Sequence, residues 1–308
     1  MAERVIFHVD ANSAFLSWSA AYRVKVLGEE LDLRTVPSVV AGDKESRHSI
    51  ILAKSGPAKK FGIQTGEPLF QALEKCPELK IVEPDYSLYV ECSRHFVEVL
   101  RQFSPCVEQY SIDEAWVDMT GTQRLFGPPV IAADALRRKV LEELGFTVNV
   151  GISSNKLLAK MAGDFEKPNK VHTLFPEEIP AKMWPLPVRD LFLVGGATER
   201  KLRLLGIYTI GDLAKADPVL LRRKLGKHGE TIWHYANGRN AELVTPEPAE
   251  AKGFGNSVTT AKDVVTTEEA HQVLLSLMET AAMRMRREGK YGSCESVDRK
   301  STRLNSSH

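Results

Sequence analysis

The chain has 308 residues, 43% hydrophobic and 26% charged, which is the make-up of a folded protein with length for about two or three domains. Its 41 basic and 40 acidic residues leave a net charge of +1. That excludes a uniformly basic nucleic-acid binder and confines any such surface to local patches. The four cysteines, Cys76, Cys92, Cys106 and Cys294, show no CxxC spacing and read as reduced thiols of a cytosolic protein. The start lacks the long apolar run of a signal peptide, and no stretch is long enough to span a membrane. A cytoplasmic location is expected.

Along the chain, "RVIFHVD" (4–10) is a short apolar run and predicts a buried strand. "NSAFLSWSAAYRVKVLG" (12–28) has a capping start and a glycine end, and predicts a helix. Strands are expected at 33–42 and 49–56, joined by the charged turn "GDKESRH". Residues 56–76 read as short helical pieces broken by Gly62, Gly66 and Pro68. A long amphipathic helix follows at 86–104. "CVEQYSIDEAWVDM" then reads as strand, turn, strand. Residues 128–145 predict a helix, 146–153 a strand and 154–167 another helix. Irregular alternation with hairpin-close strands points to an α+β sheet with helices on one face. From about 170 the texture changes to short helices punctuated by glycines, so a helical domain is expected at 170–240. The Pro/Glu/Gly-rich stretch 241–257 reads as a linker. Beyond it, "SVTTAKDVV" is strand-like and 266–289 an amphipathic helix, too little to close a core alone. The polar, aperiodic end 298–308 resembles a translated adaptor scar, so it is expected to be non-native and is set apart from the fold.

Two adjacent acids, Asp113 and Glu114, stand inside an apolar stretch. On a regular strand they would face opposite ways, and one would be buried at high cost. Either the chain bends there, or a cation sits between them. Asp10 ends the first predicted strand. Taken singly, Asp10 can be a helix cap and the pair a solvated turn. Taken together, three carboxylates form an oxygen-only set suited to Mg²⁺ or Mn²⁺, and two such ions serve phosphoryl or nucleotidyl transfer.

"FHVDANSAF", "YSIDEAWVDMT" and "VGISSNKLLAKMAGDFEKPN" resemble, in this order, the palm motifs of the Y-family DNA polymerases, nearest to the DinB branch. "GDKESRHSIILAKSGPAKKFGIQTGEPL" resembles the fingers of that family, and the likeness runs from about 4 to 290. The resemblance implies a ferredoxin-like palm over 1–169 with small fingers inserted at about 30–78. It also implies a helical thumb with a helix-hairpin-helix at 170–240, and a partial αβ little finger at 258–297, cut off before completion.

It further implies that Asp10, Asp113 and Glu114 are catalytic and bind two Mg²⁺ ions, with the Ala11 carbonyl as a further ligand. Phe15 would block the 2′-hydroxyl of a ribonucleotide; without the motif it would read as an ordinary core ring. Lys59 and Lys167 would bind the triphosphate. The family's Tyr and Arg in the fingers segment are replaced here by Gly56 and Lys59, and a lysine is a point charge rather than a bidentate fork. "LFLVGGATERKLRLLGI" resembles the thumb's hairpin, with Gly195, Gly196 and Lys201 toward DNA phosphates and Leu193 in place of the usual first glycine. The implied activity is templated addition of dNTPs to a primer 3′-hydroxyl during lesion bypass, by a monomer acting on primer-template DNA. The family's clamp-binding tail is not in this sequence, so a sliding clamp is not carried over as a partner. Two rivals are a catalytically idle DNA-binding relative and another two-metal enzyme, such as a nucleotide cyclase, on the same palm. The retained acids and Lys167 speak against the first; the thumb-like hairpin and the "NKLLAK" helix speak against the second.

Overall fold

A computed structural model describes residues 4–42, 49–247, 250–260 and 262–298. The turn expected at 43–48 and the tail at 299–308 lie outside the described residues. The elements are β1 (Ile6–Ala11), α1 (Ala14–Lys25), β2 (Ser38–Ala41), β3 (Ile51–Lys54), α2 (Gly56–Lys60), α3 (Leu69–Lys75), β4 (Lys80–Val82) and α4 (Tyr86–Arg101). Next come β5 (Val107–Gln109), β6 (Glu114–Asp118), α5 (Gln123–Phe126), α6 (Pro129–Leu144), β7 (Val148–Ser153), α7 (Lys156–Gly163) and β8 (Val171–Thr173). The rest is helical: α8 (Ile179–Lys182), α9 (Gly196–Arg203), α10 (Ile210–Lys215), α11 (Pro218–Leu225), α12 (Lys227–Ala236) and α13 (Thr267–Arg287).

The main sheet runs β5-β6-β1-β7-β8. Strand β1 pairs antiparallel with both β6 and β7, and α4 and α6 are the crossovers, which is the ferredoxin-like βαββαβ plan. β1 and β7 are buried along their whole length, as their continuous apolar runs require. One face packs Phe7, Val9, Val117, Val148 and Val150 with α4 and α6 residues such as Phe96, Leu100 and Leu136. A second, three-stranded sheet, β3-β2-β4, has its own small core of Val39, Ile51, Ile63 and Leu69. It is inserted between α1 and α4 and runs to Val82, past the expected end at 78. The α+β class holds.

Three elements escaped the sequence reading. β4, α5 and β8 span only three or four residues, too few to show a period. β8 pairs with β7, so the sheet continues past residue 170 to Thr173. The expected strand at 33–42 begins only at Ser38. Leu33–Thr35 is instead a 3-10 turn capped by the Asp32 carboxylate.

Chain contacts divide the molecule between residues 248 and 249, inside the expected linker 241–257. The first unit holds sheet and helical region together, because α7 serves two cores. Leu157, Leu158, Met161 and Ala162 pack with Met183, Val188, Leu202, Ile210 and Ile232 of the helical part. In the second unit α13 opens with a Thr266–Glu269 capping box and buries no residue. The strand expected at "SVTTAKDVV" is absent among the described residues. A strand needs a neighbour to satisfy its backbone, and the described residues of this unit offer none there. No helix of the described residues is long and apolar enough to cross a membrane.

Two backbone positions test this packing. A Cβ on Gly151 would stand 2.0 Å from the Ala159 carbonyl oxygen and 2.3 Å from the Gly163 nitrogen, both backbone atoms of α7. Gly151→Ala is therefore expected to push α7 off the sheet and cost about 2 kcal/mol or more, read as a lower urea midpoint. Leu193 holds φ +70°, a left-handed conformation suited to glycine, and its side chain is exposed. Leu193→Gly is expected to raise stability by up to about 1 kcal/mol, since relief of strain outweighs glycine's entropy cost. An unchanged or lowered thermal midpoint would contradict that.

Candidate active site

The geometry follows from register. Glu114 on β6, Asp10 on β1 and Asn149 on β7 are successive cross-strand partners, so they form one row across the sheet. Trp116, His8 and Gly151 form the next row on the same face. Two carboxylates therefore stand side by side on a strand pair, which is unfavourable without nearby cations.

The cations come from α7 and the segment after it. Lys160 and His8 both bond the Oε2 atom of Glu114, His8 at 3.1 Å. Burial pushes the Glu114 carboxyl up, but these two bonds and the Lys160 charge prevail and bring it down to about 2. Lys167 bonds the Asp10 Oδ2 and also pairs with Asp164 at 2.8 Å. Asp10 is only 7% exposed, and burial raises its carboxyl above the ordinary value despite Lys167. Burial opposes the Lys167 ammonium, yet Asp10 and Asp164 outweigh it and shift the group upward. Asp10 does not cap α1: the N-cap position is Ser13, in the left-handed region, and no side chain caps there.

Asp113 is placed by a bend. Residues 110–113 turn between β5 and β6, with the Tyr110 and Ser111 amides donating to the Glu114 carbonyl at 3.0 and 3.2 Å. The Ser111 hydroxyl donates to Asp113 Oδ1 at 2.7 Å and accepts from the Asp113 and Glu114 amides. The Asp113 carbonyl accepts from the Ala11 amide, which ties the bend to the end of β1. Because Asp113 stands before the strand begins, both acids reach the same side.

These residues line one cavity of about 530 Å³. Its wall includes Asp10, Ala11, Phe15, Asp113, Glu114 and Lys167 from the main sheet and its neighbours, facing Lys54, Gly56 and Lys59 from the inserted sheet region. Phe15 both lines the cavity and stacks on Tyr89, ring centroids 4.5 Å apart and nearly parallel. Seven of the ten residues singled out in the sequence thus meet at one place. Gly195, Gly196 and Lys201 do not line this cavity. They lie exposed at the start and in the body of α9, where a Cβ on either glycine would meet nothing within 4 Å.

Sequence reasoning passed over four groups that build the site. Lys160 stood within the quoted "NKLLAK", four residues after Lys156 and so on one helix face with it; Lys156 bonds Glu108 at 2.6 Å. His8 lies two residues before Asp10, on the same face of β1. Asn12 and Asn149 carry the remaining polar framework. The Asn12 amide donates to Asn149 Oδ1, while its own oxygen accepts from the Asn169 backbone and the Thr147 hydroxyl. Asn149, fully buried, donates to the Gly163 and Glu166 carbonyls at 3.0 and 2.6 Å. Together they pin both sides of Lys167.

Among the described residues, no three His, Cys, Asp or Glu side chains gather closely enough to hold a metal ion as they stand. The donors nonetheless fit a hard divalent cation by type, being all carboxylate, and Glu114 is ionised at neutral pH.

Known proteins resemble this chain over most of its length. Residues 9–164 match the impB/mucB/samB family, 176–207 the IMS family HHH motif, and 251–306 the impB/mucB/samB family C-terminal domain. The DNA polymerase IV of Clostridium acetobutylicum is 46% identical over 295 residues, covering 96% of this chain and 74% of that protein. DNA polymerase IV 2 of Bacillus subtilis is 37% identical, covering 96% and 72%. Among solved structures, the Y-family DNA polymerase chimera Dbh-Dpo4(243-245)-Dbh superposes with a TM-score of 0.77 over 91% of this chain and 80% of its own, at 23% identity. The chain belongs to the impB/mucB/samB family, as a DinB-like member of the Y-family DNA polymerases.

Proposed function

We propose that the cavity between the two sheets is where this translesion DNA polymerase joins a dNTP to a primer end, with Asp10, Asp113 and Glu114 at its catalytic centre. The observation that supports this most directly is the facing of three carboxylates by lysines across one cavity. Divalent-metal dependence follows from the family. Two Mg²⁺ ions held by the three carboxylates and the Ala11 carbonyl would supply charge to activate the primer oxygen and stabilise the departing phosphates.

The chain's own groups do the rest. The row Glu114–Asp10 fixes two carboxylates on paired strands at the middle of the sheet, and the Ser111 turn orients the third. Lys167 and Lys59 would take phosphate oxygens by charge-assisted hydrogen bonds. The Phe15 ring, braced by Tyr89, would stand against the sugar and leave no room for a 2′-hydroxyl. The Gly195 and Gly196 amides at the start of α9 would take a DNA phosphate, with Lys201 adding charge. Such contacts are indifferent to sequence, as templated synthesis requires. A monomer acting in the cytoplasm on primer-template DNA completes the reading.

Primer extension with Mg²⁺ opposite a template abasic site tests the whole reading; extension up to and across the lesion is expected, and no extension on any template would overturn it. The acids should differ under mutation. Asp113→Ala should lower the rate by about 10²-fold or more with little loss of stability. Glu114→Ala should lose activity similarly, and also about 1–3 kcal/mol of stability, because Lys160 and His8 are left buried without their acceptor. Equal thermal midpoints for the two variants would contradict this account. For Phe15→Ala, the preference for deoxy- over ribonucleotides should fall by about 10- to 100-fold. Truncation also removes the Tyr89 stacking, worth about 1 kcal/mol. An unchanged preference together with lowered stability would make Phe15 a packing residue only.

A further inference from the structure

The cavity holds a cation that the family likeness does not account for. Lys54 is the last residue of β3, paired with Val39 of β2. Along β3 the burial alternates, with Ile51 and Ala53 inward and Leu52 and Lys54 partly exposed. Leu52 and Lys54 therefore share a face, and both line the cavity. Lys59 lies just beyond, near the end of α2, and Ser55 and Gly56 lie between them in the same wall. At Gly56 the wall has no side chain, and a Cβ there would meet nothing within 4 Å. The sugar-phosphate end of a nucleotide could thus approach β3 closely.

We propose that Lys54 is a third phosphate-binding residue of this site, acting with Lys59 and Lys167 on the triphosphate of the incoming nucleotide. The inference rests on the reading of the cavity as the nucleotide site. Its chemistry is that of charge balance. A nucleoside triphosphate carries several negative charges into a cavity that already presents three carboxylates. Lys167 is engaged by Asp10 and Asp164, so the cavity's cationic side depends on the inserted sheet. The surroundings of Lys54 suit a polyanion. Burial comes first, and the nearby charges of Lys59 and Lys75 add to it, so its ammonium is less favoured than in water. Glu67 acts the other way, but its carboxylate is already held by Lys75 at 2.6 Å. A phosphate placed between Lys54 and Lys59 relieves their mutual repulsion, and one lysine could not provide that.

The test compares wild type, Lys54→Gln and Lys54→Arg. First, inorganic tripolyphosphate is titrated by calorimetry into metal-free protein. Lys54→Gln should weaken binding about tenfold, and Lys54→Arg should restore it to within about threefold of wild type. Second, in single-nucleotide extension, Lys54→Gln should raise the KM for dNTP about tenfold while kcat changes less than about threefold, and affinity for primer-template stays as in wild type. Lys54→Arg covers the case in which loss of the lysine disturbs β3, because it keeps the charge. If wild type extends primers but Lys54→Gln leaves both the KM and the tripolyphosphate affinity unchanged, the inference fails and the wider reading stands. If wild type extends no primer, the wider reading fails. A fall in kcat alone, with tripolyphosphate binding intact, would likewise overturn a phosphate-binding role.

Discussion

Two carboxylates placed side by side at the centre of a sheet set the terms for everything around them. Asp10 and Glu114 are direct cross-strand partners, and neither can leave the cavity face without a slip in register. Such a slip would turn Phe7 and Val9 out of the core. The like charges must therefore be balanced where they stand. The fold supplies two lysines from outside the strand pair, each with a defined anchor, and the His8 ring of β1 adds a hydrogen bond to Glu114.

That need explains why α7 lies so close to the sheet. Lys160 is itself buried and reaches Glu114 across the helix–sheet interface. Glycine at 151 leaves room for the Ala159 carbonyl, and glycine at 163 lets the His8 ring approach. The other side of the same helix carries Leu157, Leu158 and Met161 into the helical region. Lys160 adds a link of its own, lying over the rings of Tyr110 and Phe192, at 5.3 and 5.5 Å from their centroids. A single eight-residue helix thus carries the counter-charge for Glu114 and packs the helical region against the sheet. The counter-charge of the carboxylate row and the placement of the helical region are mechanically joined, which is a physical reason for sheet and helical region to form one compact unit.

Much of this was legible in the residues, and the misses have definite causes. The long helices and the strands β1, β6 and β7 could be read because each carries a full period of buried positions. β4 and β8 could not, since three residues hold no period and their pairing is decided by distant strands. The strand expected at 257–265 failed for the opposite reason. Its residues favour a strand, but the described part of that unit supplies no partner for the backbone. In the site, the acids could be found from the chain because their adjacency is anomalous. Lys160 and His8 looked ordinary. A lysine on an amphipathic helix usually faces water, and only the tertiary approach of α7 brings this one inside. Asn149 is the clearest case. In "FTVNVGIS" it is one polar residue in an apolar strand, and its role depends on the carbonyls of residues 163 and 166, which nothing local foretells.

The choice of lysine on both sides of the cavity has its own logic on the proposed reading. Lys167 is bound to Asp10, yet it is also the group expected to meet the nucleotide's phosphates. A phosphate entering the cavity would compete with Asp10 for the same ammonium. Release of Asp10 by that exchange would leave its carboxylate available as a metal ligand. An arginine would suit this poorly, because its planar fork holds a carboxylate bidentately and resists exchange. A lysine is a compact charge on a flexible stem and can swing between acceptors with little rearrangement. Asn12 and Asn149 hold the backbone on both sides of Lys167, so only the side chain needs to move. Carboxylates fixed on the sheet and lysines free to change partners would let one cavity stay charge-balanced when empty and when filled.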